Sequence, residues 1–207
     1  MSEYFDSRFI YQNGRKKVWR AITEYLQEHV SKDGVIIELG PGYCDFINQI
    51  QAKRKIAVDI DPIVKNYCDA NVEFYNLNVS ELSFPSDSAD VIFASNVLEH
   101  LDNKQLEILS SKLFDILKPG GKLILIQPNY FYAYREYWDD YTHIKAFSHR
   151  SLPDFLKSKN FKIETIMKRF LPFSFYSVLP KTYILTKIYL SLPIHPFAKQ
   201  MLVIAKK

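Results

Sequence analysis

Five short apolar runs recur in the first 130 residues: "VIIEL" at 35–39, "KIAVDI" at 55–60, "VEFYNLNV" at 72–79, "ADVIFASN" at 89–96 and "KLILIQP" at 122–128. Runs of this length are too short for buried helices, and most are too continuously apolar for strands with one wet face. They read as buried parallel strands. The segments between them, "CDFINQIQ", "PIVKNYC" and "NKQLEILSSKLFDIL", have helical character, with Pro62 at a first helical position. The alternation predicts an α/β fold: a doubly wound, mostly parallel sheet with helices on both faces. The 207 residues suit one domain with a full core. Ligands in such sheets bind beyond the carboxyl ends of the strands, where strand order reverses.

The flanks divide the chain further. Residues 1–34 form a helical cap. Within it, Val18, Trp19, Ile22, Leu26 and Val30 recur at helical spacing over 15–30, and Gly34 of "SKDG" offers a left-handed stop. Residues 35–127 form the core. Residues 128–207 form a lid and terminal strands, "FKIETIMKRF" and "KQMLVIAKK", after a short helix at "SLPDFLKSKN". Between those strands lies a four-proline insertion at about 171–197, too long for a hairpin, with a helix expected around Tyr183 to Leu190.

The first turn, "ELGPGYCDF", carries the chemistry. Gly40 and Gly42 occupy the first two positions of a dinucleotide fingerprint, but Asp45 stands where the third glycine belongs. No Gly-Lys-Ser/Thr follows, which excludes a P-loop. The glycines let main chain approach a ligand closely. Glu38 at the strand end either faces that ligand or caps the following turn. A carboxylate there repels a pyrophosphate and suits an ammonium group. Asp59 ends the second strand, where an acid meets ribose hydroxyls, and Asp61 before Pro62 is a helix cap. The turn therefore favours a phosphate-free adenosine ligand with a cationic amino-acid part, which S-adenosylmethionine satisfies.

At this level the chain resembles the class I S-adenosylmethionine-dependent methyltransferases. "IIELGPGYCDF" is similar to their first motif, with Cys44 replacing the last glycine. "AVDID" resembles the second, "LNVSELSFPSDSADVIFASNVLEHL" the third and fourth, and "LKPGGKLIL" the entry to the fifth strand. The resemblance implies a seven-stranded sheet with the last strand antiparallel. It also implies a cofactor site made of Glu38, Gly40, Pro41, Gly42, Tyr43, Asp59, Ile60, Asn78, Val79 and Asn96. Asp59 would take the ribose, Ile60 the adenine face, Asn78 and Val79 the adenine edge, and Asn96 the methionine amine. Cys44 fits if its φ is negative, since it is small.

A hydroxyl acceptor must lose a proton, which calls for a base. The segment "NYFYAYREYWDDYTH" follows the fifth strand and should overhang the pocket. Seven of the twelve residues from Tyr130 to Tyr141 are aromatic, suited to stacking on a sugar or base or to packing as a lid. His143 is the first candidate base, oriented by one of the aspartates, Asp139 or Asp140, with Asp140 the catalytic candidate, and His100 in "NVLEHL" is the second. Asp139, Asp140 and His143 raise a metal question, but nothing near them in sequence completes a site, so no metal is expected.

Charge is uneven. From Thr165 to Lys207 there are seven basic residues and no acid, on a body of net −3. Such a segment attracts anions. Together with a tail resembling bacterial polysaccharide-assembly members, this points to an anionic small-molecule acceptor, an oxygen of a sugar, sugar phosphate or surface-glycan precursor. Two other readings compete: a lipophilic acceptor, with the insertion lying on a membrane surface, and a non-catalytic cofactor-sensing module. Nucleic acid is not expected, because no Asn-Pro-Pro-Tyr-type motif follows the fourth strand. The two cysteines suggest no disulfide framework, and neither a signal peptide nor a membrane span is read, so the expected location is the cytoplasm.

Overall fold

A computed structural model describes residues 11–172 and 181–207. Seven strands make one sheet: β1 (Val35–Leu39), β2 (Arg54–Asp59), β3 (Val72–Asn76), β4 (Ala89–Ser95), β5 (Leu117–Pro128), β6 (Lys162–Pro172) and β7 (Ala198–Lys206). Their order is β3-β2-β1-β4-β5-β7-β6. Strands β1 to β5 pair in parallel, and β7 runs antiparallel to both β5 and β6. The expected mostly parallel sheet with one antiparallel strand is the sheet observed.

Side chains on a strand alternate between faces, and the two layers of core follow that rule. Ile37, Leu39, Ile92, Ala94, Leu123, Leu125, Met201 and Val203 pack on one face. Ile36, Val91, Phe93, Ile124, Ile126, Leu202 and Ile204 pack on the other. The first face is covered by α3 (Asn103–Ile116) through Leu106, Leu109 and Leu113, and by α5 (Ser151–Ser158) through Leu152 and Leu156. The second is covered by α1 (Arg15–Leu26) through Trp19, Ile22 and Leu26, and by α2 (Asp45–Gln49) through Phe46 and Ile47. Leu190 of α6 (Tyr183–Ser191) completes it. A four-residue helix, α4 (Tyr130–Ala133), follows β5. Asp102 and Gln105 start α3 with a reciprocal capping box, each side chain bonding the other's main-chain N–H.

Several boundaries differ from the expectation. Helix α1 ends at Leu26 and tightens into a 3-10 turn at Gln27–His29. Gly34 is not left-handed; a Cβ there would press on the Asp90 side chain at 3.3 Å, so close packing accounts for the glycine. Pro62–Tyr67 is a 3-10 segment, and Asp61 caps it by accepting from the Ile63 N–H at 3.1 Å. "KPGG" does not separate helix from strand. Leu117 already pairs with Ala89, and the pairing resumes at Val91 with Lys122, so these four residues form an irregularity inside β5, with Gly120 at φ 78°. Helix α6 stands where the insertion was expected to carry one, while residues 173–180 of that insertion lie outside the described residues.

Candidate active site

Because β1, β2, β4 and β5 are parallel, their carboxyl ends share one edge. From β1 the chain runs outward through β2 to β3, then returns to the other side of β1 with β4, so strand order reverses between β1 and β4. The turn after β1 lies there. Gly40, Gly42 and Cys44 all have positive φ, at 61°, 56° and 56°. A Cβ on Gly40 would meet Val97 Cγ2 at 2.7 Å, so the segment after β4 lies directly on the turn. Cys44, which was to fit the motif if its φ were negative, has φ 56° and does not meet that condition. Its main chain keeps the left-handed conformation that a glycine supplies without strain, and Cys44 pays for it with a buried thiol 3.2 Å from that of Cys68.

Glu38 is buried, and its Oε2 accepts from the Ile47 N–H at 2.9 Å, so this carboxylate caps α2 as well as ending β1. Burial pushes its pKa well up, opposed by the Ile47 N–H. Pro41 is buried, and its carbonyl accepts from the Cys44 N–H at 2.9 Å, closing the turn. The half-buried Tyr43 packs edge-on against Tyr67 at 4.9 Å, with the Arg15 guanidinium 5.4 Å from its ring. Asp59 accepts from the Asp61 N–H at 2.9 Å. Burial raises its pKa, and the N–H groups of Asp61, Gly42 and Ile60 oppose that rise. The Gly42 contact ties the first turn to the end of β2. Beside it, Ile60 exposes an apolar side chain.

Asn78 caps the 3-10 turn Val79–Glu81, its Oδ1 accepting from the Ser80 N–H at 3.0 Å, while Val79 packs on the core. Asn96 is exposed and left-handed, at φ 54°, and its Oδ1 accepts from Gln200 Nε2 at 2.8 Å. Sequence reasoning passed over Gln200, which comes from β7 and has no local motif.

On the acceptor side the structure ties the expected residues into a wider network. His143 is buried, and its Nδ1–H donates to the Tyr137 carbonyl at 2.6 Å. Asp140 accepts from Thr142: the N–H at 3.0 Å and the hydroxyl at 2.6 Å. That hydroxyl contacts His100 Nδ1 at 3.0 Å, so the aspartate supports His100. Burial, and secondly His143, hold the His100 pKa below its ordinary value. The two imidazoles lie 5.0 Å apart, ring centre to ring centre. Between β4 and this segment sits Glu99, which sequence reasoning missed. It is 1% exposed, and burial pushes its carboxyl up to about 8. The Ile144 and Lys145 N–H groups both donate to the Glu99 carbonyl, at 2.9 and 3.0 Å, fastening the lid segment to the turn after β4.

A family model described as a methyltransferase domain matches residues 11–166. The chain belongs to the methyltransferase-domain family. Its cofactor is S-adenosylmethionine, and the residues present fit it. The turn is left-handed at Gly40 and Gly42, the half-buried Asp59 closes β2, and an exposed apolar side chain stands next to that acid.

Among relatives, the chain is 28% identical over 101 residues to phosphoethanolamine N-methyltransferase 1 of Triticum aestivum, covering 44% of this chain and 20% of that protein. It is 29% identical over 131 residues to a probable S-adenosylmethionine-dependent methyltransferase of Mycolicibacterium smegmatis, covering 60% and 50%. The chain thus spans at most half the length of these relatives. The fold matches a SAM-dependent methyltransferase structure from Archaeoglobus fulgidus with a TM-score of 0.69 at 18% identity, covering 93% of this chain and 94% of that one.

Proposed function

We propose that this methyltransferase methylates a small phosphate-bearing acceptor, at an oxygen of a sugar phosphate or glycan precursor, in the cytoplasm. When bound, S-adenosylmethionine supplies a methyl group already activated on a sulfonium. The chain's own task is to hold the acceptor in line and exclude water, and alignment alone contributes on the order of 7–11 kcal/mol.

The observation that carries this reading is an aromatic layer edged with guanidinium groups just beyond β5. Arg169 stands 4.2 Å over the Tyr132 ring and Arg150 5.8 Å over that of Phe131. His149 stacks on Tyr132 with ring centres 5.9 Å apart. Asn129 bonds the Lys168 carbonyl at 2.8 Å and so joins β6 to this layer. Rings that accept a sugar face, edged by cations that accept a phosphate, match the acceptor class. A phosphate-bearing substrate also stands in the name of the wheat relative. In this reading His100 and His143 attend the acceptor oxygen.

Turnover of labelled S-adenosylmethionine against hexose phosphates, their dephosphorylated forms and phosphoethanolamine tests this. Transfer to the phosphorylated sugars, with KM raised by R150E and R169E, is expected. Equal transfer to dephosphorylated sugars, or to phosphoethanolamine alone, refutes the sugar-phosphate reading. No transfer at all favours a cofactor-sensing module.

A second reading, a lipophilic acceptor met at a membrane surface, has its own observation. Ile184, Leu185 and Ile188 of α6, with Leu192, Ile194 and Phe197 after it, all expose their side chains. Among the described residues no helix is long and apolar enough to cross a membrane. Co-sedimentation with anionic liposomes tests for surface contact.

A further inference from the structure

Neither carboxylate oxygen of the buried Glu99 has a hydrogen-bond partner among the described residues. A buried carboxylate left so is heavily penalised, and native structures rarely leave one without a reason. The position of His143 beside it is informative. His143 Nε2 lies 4.0 Å from Glu99 Oε1, too far for a hydrogen bond. With His100, one ligand atom from each of the three residues lies within 4.8 Å of the others. Nitrogen and carboxylate ligands bind zinc at about 2.0–2.2 Å, so two donors on one ion stand about 3–4 Å apart. The Glu99–His143 gap matches an ion's width better than a direct bond.

The groups behind the imidazoles agree. Metal-bound histidines donate their second ring N–H to a carbonyl or to a hydrogen-bonded carboxylate, which sets the tautomer. His143 Nδ1 faces the Tyr137 carbonyl. His100 Nδ1 faces the Thr142 hydroxyl, whose proton goes to Asp140. Both arrangements leave Nε2 as the nitrogen with the lone pair. The Ile144 and Lys145 N–H bonds to the Glu99 carbonyl hold the His143 segment against Glu99.

We propose that Glu99, His100 and His143 form a binding site for one divalent transition-metal ion of the zinc type. Two imidazoles and one carboxylate select such an ion over magnesium or calcium, which take oxygen ligands. Three protein ligands leave a coordination position open, as in catalytic zinc sites. His100 is only partly buried and gives solvent access. An acceptor hydroxyl bound there releases its proton to water and keeps its electron pair on oxygen, ready to attack. The acceptor role rests on the proposed function. The ion site does not.

The test uses the whole chain, stripped with chelator and titrated with Co2+ followed by visible absorption, then with Zn2+ by calorimetry. One ion per chain is expected. E99Q, H100A and H143A each remove a ligand and should weaken binding by at least the roughly 10- to 100-fold that loss of an outer-shell partner costs, while H29A leaves it unchanged. Thermal melts and S-adenosylhomocysteine binding by E99Q show whether that isosteric variant is folded. If the chain binds no more Co2+ than folded E99Q does, the site is refuted. If the ion binds but transfer to a hydroxyl acceptor is the same with and without it, the acceptor role is refuted. Binding of one ion without turnover on any acceptor supports the site and counts against the proposed function instead.

Discussion

The turn after β1 and the layer beyond β5 lie on the same sheet edge but are built differently. The first is main chain. Three consecutive alternate residues, Gly40, Gly42 and Cys44, take positive φ, and main-chain hydrogen bonds close the turn: Cys44 N–H to the Pro41 carbonyl and Gly40 N–H to the Val58 carbonyl of β2. The second is side chain, assembled across long gaps: Asn129 with His149 and Lys168, His100 with Thr142, Asn96 with Gln200. The first region therefore depends on local main-chain geometry. The second depends on side chains brought together from distant parts of the chain, and under the proposed function it is the acceptor side.

The contrast can be broken at four points, taken in order of size. Asp59→Ala removes the acid that ends β2. Hydrogen bonds to charged groups contribute about 1.5–3 kcal/mol, so S-adenosylhomocysteine should bind about 10- to 150-fold more weakly by calorimetry, with acceptor preference among residual turnovers unchanged. Cys44→Val places a β-branched residue at φ 56°. It should lower the urea-unfolding free energy by about 2 kcal/mol; a loss near zero would mean that the turn rearranges easily. Lys168→Glu with Arg169→Glu should raise KM for a phosphorylated acceptor about tenfold at low salt, an effect that fades as salt rises. Stability should move by about 0.5 kcal/mol or less. Ile188→Ser on exposed α6 should leave stability within about 0.5 kcal/mol. If the surface reading holds, it should reduce liposome co-sedimentation.

The same contrast explains what the bare sequence disclosed. All seven strands were legible, because each is a contiguous run whose alternate side chains feed two core layers. The left-handed glycine turn after β1 was legible because its motif is contiguous too. The conformation of Cys44 was not legible, because the residue's small size leaves its φ open. The turn sets it, and the residue bears the strain. For Glu38 the sequence offered two readings, ligand-facing or capping; the structure shows the cap, because the Ile47 N–H points at its Oε2. The link from Asp140 through the Thr142 hydroxyl to His100 was not legible, because only folding brings Thr142 against His100. Glu99 gave no signal, as one acid in an otherwise unremarkable "VLEHL". Its isolation from hydrogen-bond donors is a property of three dimensions.

The placement of β7 has a consequence for how such a chain is born. The strand made last of the seven sits inside the sheet, with β5 on one side and β6 on the other. During synthesis, β1 to β5 emerge first and can assemble among themselves, but β6 must wait for a partner translated after it. A ribosome stalled before residue 198 would hold the finished turn after β1 beside a raw β5 edge.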